Sequence, residues 1–122
     1  MRAEVKRPIE QKEYWFKEGC YILENGNDNG DEYLSIARAR VKPKTATSFH
    51  MLKGVTERYI ILSGSGRVEI GDSLKEDVEP GDIVRIPDNT RQRIINTGEK
   101  DLIFYAVCAP PFTKECYISL KE

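Results

Sequence analysis

The chain has 122 residues, nineteen Lys or Arg against twenty Asp or Glu, and a formal net charge of −1. This length supports one domain with its own core. The charge balance offers no basic face for nucleic acid or anionic lipid, and no run of about 18 apolar residues announces a membrane-spanning helix.

In chain order, residues 1–8 lack the apolar stretch of a secretory signal. Residues 9–16 suit a short helix or an edge segment. They end in Tyr14, Trp15 and Phe16, three successive aromatics that need cover from this subunit or a partner. A homodimer using residues 1–30 is therefore expected. Residues 25–31 are polar and Gly-rich and predict a loop. Short runs rich in Val, Ile and Tyr then predict strands over 33–41, 48–52, 58–62, 67–70, 82–86, 91–96 and 102–108, with a terminal strand over 116–120. Turn signals separate them every 8–12 residues or so, the rhythm of an antiparallel all-β sandwich or barrel. Pro80-Gly81 suits a type II turn, and Ser63-Gly64-Ser65-Gly66 a tight hairpin return. Three cysteines (Cys20, Cys108, Cys116), odd in number and outside CxxC spacing, fit reduced thiols and a cytoplasmic location.

Two stretches, 48–64 and 81–96, each read as a hairpin carrying a few polar residues inside apolar strands. In the first, His50 precedes Glu57, and Gly64 follows the strand Arg58-Tyr59-Ile60-Ile61-Leu62. In the second, Gly81, Pro87, Gln92 and Asn96 follow one another. Side chains alternate along a strand, so Glu57, Tyr59 and Ile61 share a face, as do Gln92, Ile94 and Asn96. Arg58, Arg91 and Arg93 fall on the opposite faces. They suit a solvated or dimer-facing surface, or an arginine curling over the barrel mouth to grip an anion. Cys108 and Tyr105 lie on opposite phases, so at most one points inward. The chain has one His, which excludes His-His relays and His-based metal pairs.

These residues and spacings resemble the two sequence motifs of the cupin superfamily, over roughly residues 40–110, in the manner of its small single-domain, mannose-6-phosphate-isomerase-like members. The resemblance implies an antiparallel jelly-roll barrel, a double-stranded β-helix. It makes 1–122 a single cupin domain with motif 1 at about 44–64 and motif 2 at about 81–96. Lys44 stands where motif 1 opens with glycine, and Asn89 replaces the second glycine of motif 2. The family's four metal-ligand positions fall on His50, Leu52, Glu57 and Gln92. Leu52 cannot ligate, and an amide oxygen is a poorer ligand than imidazole. The implied site is therefore a metal set of His50, Glu57 and Gln92 holding a divalent ion (Mn, Fe, Ni or Zn) weakly. The other reading is a hydrogen-bonded polar cluster without metal. Glu57 as ligand or general base and Tyr59 as ligand-holding hydroxyl or acid are the candidate catalytic groups. Two functions stay open. One is a metal-dependent enzyme of isomerase, dioxygenase or lyase type on an oxygenated small molecule. The other is a non-catalytic cupin that binds a sugar or anion.

Overall fold

The computed structural model describes residues 1–120. Eleven strands form two antiparallel sheets. The strands are β1 (Tyr14–Phe16), β2 (Cys20–Gly26), β3 (Ser35–Val41), β4 (His50–Leu52), β5 (Thr56–Ser63), β6 (Gly66–Ile70), β7 (Leu74–Val78), β8 (Ile83–Ile86), β9 (Gln92–Asn96), β10 (Leu102–Ala109) and β11 (Tyr117–Ser119). The larger sheet runs β1-β2-β3-β10-β5-β8 and the smaller runs β11-β4-β9-β6-β7. Inward-facing Val41, Ile61, Val68, Ile94, Leu102 and Phe104 fill the space between them. Among the described residues, no helix is long and apolar enough to cross a membrane.

The expected alternation holds on the strands that matter. In β5, Glu57, Tyr59 and Ile61 are buried while Arg58 and Leu62 are exposed. In β9, Gln92, Ile94 and Asn96 are buried. Pro80-Gly81 forms the expected turn, with Gly81 at φ 97° and the Asp82 N–H donating to the Glu79 carbonyl at 3.0 Å.

Both motifs depart from the expected hairpins. β4 and β5 lie in different sheets, as do β8 and β9, and so do β5 and β6 on either side of Ser63-Gly64-Ser65-Gly66. Each turn therefore hands the chain from one layer to the other. Gly64 makes the last crossing possible. It sits at φ 88°, where a Cβ would lie 2.7 Å from the Asp101 carbonyl oxygen.

Three further strands are present. β1 follows a single 3-10 turn at Glu10–Lys12, so residues 9–16 combine both expected forms. β2 breaks strict alternation, and its pairing with β3 shifts register between Glu24 and Gly26. β7 is exposed except at Val78, a charged edge that discourages pairing with other chains.

The arginines do not reach the barrel interior. Arg91 and Arg93 bracket Phe49, with guanidinium carbons 3.4 and 4.3 Å from its ring centre. Arg93 also pairs with Glu69 at 2.8 Å. Asn96 is a structural bracket. Its Nδ2 donates to the Val41 and Lys100 carbonyls at 2.9 and 2.8 Å, and its Oδ1 accepts the Gly98 N–H at 2.8 Å.

Candidate functional site

The two layers meet around a polar cluster at one end of the barrel. His50 and Gln92 are direct partners across β4 and β9. Glu57 faces the same interior from β5, opposite Cys108 on β10. The Tyr59 hydroxyl donates to Gln92 Oε1 at 2.6 Å and so ties the larger sheet to the smaller. Its ring packs on Phe104 at 4.5 Å. Tyr59 ionisation is pushed well up, mainly by burial and then by the charge of Glu57. The hydroxyl therefore stays protonated and orients Gln92.

His50 is almost fully buried. Its Nδ1 lies 2.8 Å from the Ser48 carbonyl oxygen, which can only accept, so Nδ1 carries the proton and Nε2 is left open. The imidazole stacks on Tyr117 with centroids 5.0 Å apart and planes 18° apart. Burial lowers its pKa, against smaller opposite pulls from the Ser48 carbonyl and Glu57. His50 is neutral at neutral pH.

Glu57 is 8% exposed. The Cys108 thiol donates to its Oε2 at 3.6 Å, while Oε1 is buried with no hydrogen-bond partner. Burial pushes its pKa up to about 7, and the nearby Glu18 carboxyl adds to this.

Glu18 lay outside every expectation drawn from the sequence. Its side chain is 14% exposed, and its Oε1 is 3.8 Å from His50 Nε2. Burial pushes its pKa to about 7 as well, with the Cys20 thiol pulling the other way. The chain delivers it by a tight turn. Gly19 N–H donates to the Phe16 carbonyl at 2.9 Å, and Ser48 N–H donates to the Glu18 carbonyl at 2.6 Å. Gly19 holds φ 106°, and a Cβ there would lie 3.2 Å from the Ala46 carbonyl oxygen. The Glu-Gly pair was the one sequence hint of this turn. Nothing in the motif spacing pointed to its partner in space, because β1 and β2 were not foreseen. Tyr117, on the expected terminal strand, was not foreseen beside His50.

Glu18, Glu57, Tyr59 and Cys108 line a cavity of about 50 Å³ whose walls are otherwise largely apolar. That space holds a few waters or the reacting end of a small molecule.

The residues present do not fit the metal that the fold family implies. Leu52 is buried among Val55, Cys108, Cys116 and Tyr117. Gln92 Oε1 already accepts the hydrogen bond of the Tyr59 hydroxyl. His50 Nε2 and Glu57 Oε1 are left as open donors of the family set. Among the described residues, no three His, Cys, Asp or Glu side chains gather as a metal-holding group. The arrangement instead offers two carboxyls poised near neutrality on the cavity wall, with a neutral imidazole beside Glu18. Such groups can take and return protons.

Known proteins agree with this architecture. A Streptomyces Pac13 variant with uridine superposes with a TM-score of 0.78 at 16% identity, over 98% of this chain and 93% of that one. Pac13 is described as a unique nucleoside dehydratase. Lactobacillus farciminis oxalate decarboxylase, in a formate complex, gives 0.76 at 22% identity, over 89% of this chain and 33% of its own. Glucose-6-phosphate isomerase of Thermococcus litoralis is 33% identical over 99 residues, 71% of this chain and 51% of that protein. The chain thus spans about half the isomerase's length. An uncharacterized protein of Methanocaldococcus jannaschii is 32% identical over 106 residues, 85% of this chain and 84% of its own. The cupin domain family matches residues 37–108, and the chain belongs to it.

Proposed function

We propose that this cupin acts on a small oxygenated molecule by proton transfer, as an isomerase or lyase, with Glu57 and Glu18 as the acid–base pair. The observation that carries the reading is the buried, unpartnered Oε1 of Glu57 in a cavity shared with Glu18. A buried carboxyl oxygen without a partner is costly, and a substrate hydroxyl or carbon-bound proton would complete it. One carboxylate removes a proton from carbon. The other, as the acid, gives its proton to a carbonyl oxygen or to a departing hydroxyl, which leaves as water. Both steps balance with no oxidant or reductant. Tyr59 fixes the Gln92 amide beside the reacting groups, and Tyr117 holds the His50 ring. The names of two similar proteins, an isomerase and a dehydratase, fall in the same reaction class.

The test is exchange of carbon-bound hydrogen in D2O, followed by proton NMR, with a panel of aldoses, ketoses, their phosphates and nucleosides. At least one member is expected to exchange or lose water with the native protein, and Glu57→Gln is expected to abolish this while still binding. Binding by the native protein with no exchange anywhere in the panel would overturn the enzyme reading in favour of a non-catalytic binder.

A further inference from the structure

The turn that sends Glu18 inward carries Lys17 outward. Lys17 is exposed, yet its ammonium is placed. It lies 5.0 Å from the centre of the Tyr117 ring, the ring that stacks on His50. Tyr117 is 7% exposed, so the cation rests on a fixed wall of the site. Lys114 stands on the same groove, as the first residue of a 3-10 turn (Lys114–Cys116) capped by Thr113, whose hydroxyl oxygen accepts the Cys116 N–H at 3.3 Å.

This groove, about 660 Å³, adjoins the inner cavity, and Tyr14, Phe16, Glu24 and Phe112 line both. Its volume suits a small-molecule ligand. Neither Lys17 nor Lys114 has a carboxylate within ion-pair distance among the described residues. Glu24 also lines the groove, but its Oε1 accepts the Tyr14 hydroxyl proton at 3.1 Å. Charge thus changes from one space to the next: Glu18 and Glu57 line only the inner cavity, Glu24 lines both, and Lys17 and Lys114 line only the groove.

We propose that the molecule taken by this site carries an anionic group, a phosphate or carboxylate, seated between Lys17 and Lys114. Its neutral hydroxyl or carbonyl end then reaches Glu57 and Glu18. The proposal rests on the acid–base reading of the inner cavity. An anion at the inner end would face two carboxyls, and a cation at the outer end would face two ammoniums, so only one orientation matches both ends. Lysine suits the task, since it meets phosphate as a point charge and needs no bidentate geometry.

Calorimetric titration of matched probes tests this: glucose against glucose 6-phosphate and gluconate, and uridine against uridine 5′-phosphate. At least one anionic probe is expected to bind about tenfold or more tightly than its neutral twin. That gain should shrink as salt rises. The Lys17→Gln/Lys114→Gln double variant should lose the gain, so that anionic and neutral probes bind it alike. No anionic probe outbinding its twin, or a gain that survives the double variant, would overturn the proposal. The two readings fail separately. Loss of anion preference with hydrogen exchange intact removes only this inference. Full exchange by Glu57→Gln removes the acid–base reading, while anion preference is still read from binding alone.

Discussion

Tyr59 and Gln92 face each other from opposite sheets and are joined by a 2.6 Å hydrogen bond in which the phenol donates. Tyr59→Phe removes the donor and leaves a buried amide oxygen unpaired, at a cost of about 1 kcal/mol or somewhat more. The ring still packs on Phe104, so the fold should persist. Urea denaturation of both proteins measures the difference, and equal stability would show that the bond contributes nothing.

Stability should respond to pH through the same cavity. Glu57 and Glu18 have folded pKa values of about 7, raised from 4.5. The native state therefore binds more protons than the unfolded chain, and stability falls as pH rises between about 4.5 and 7. His50 acts in the opposite sense, because its lowered pKa makes stability rise with pH up to its ordinary value near 6.5. A difference curve isolates the carboxyl. Glu57→Gln should gain stability relative to the native protein from pH 5 to pH 8. A flat difference would mean that Glu57 titrates normally.

Metal affinity should return when the family's donors are rebuilt. Leu52→His with Gln92→His restores four donor side chains at the family's positions. Competition with a chromophoric chelator should show zinc and nickel bound about tenfold or more tightly than by the native chain. Adding His50→Ala should undo much of the gain. No gain in the rebuilt protein would mean that His50 and Glu57 do not occupy the family's ligand positions.

The N-terminal aromatics lead us to propose a homodimer. Trp15 is 58% exposed on β1, the outermost strand of the larger sheet. An open edge beside an exposed indole invites pairing with a second copy. Sedimentation at micromolar concentration should give a dimer, and Trp15→Glu a monomer. A native monomer with Trp15 freely quenched by acrylamide would remove the proposal.

Lys44 and Asn89 both hold left-handed backbone, at φ 61° and 55°. Lys44→Gly should leave stability unchanged or raise it by up to about 1 kcal/mol, since relief of strain is offset by glycine's extra freedom when unfolded. Asn89 differs, because its Oδ1 accepts the Gly54 N–H at 3.1 Å. Asn89→Ala should cost about 1–2 kcal/mol. Thermal denaturation distinguishes the two, and a destabilised Lys44→Gly would mean the lysine side chain matters more than its backbone.

These two positions show why the fold was legible. They depart from the family's glycines in residue type, yet keep the backbone conformation that the glycines serve. The burial of Glu57, Tyr59 and Gln92 was likewise readable, because alternation is a local property of each strand. Whether a turn re-pairs a strand or passes it to the other layer is not local. The supposed hairpins at 48–64 and 81–96 therefore turned out to be crossings between sheets. Glu18 was hidden for a similar reason. Its meeting with His50 spans 32 positions along the chain (50 − 18) and depends on the β1–β2 hairpin.

Glu18 lies outside residues 37–108, the part that matches the family. The shared barrel supplies His50, Glu57 and Gln92, while the leading hairpin supplies the second carboxyl and the outer lysine beside it. A lineage could therefore reshape this pocket by exchanging a single short hairpin, with the barrel that holds His50, Glu57 and Gln92 left untouched. Inheritance of the barrel and inheritance of the reaction can then follow separate paths.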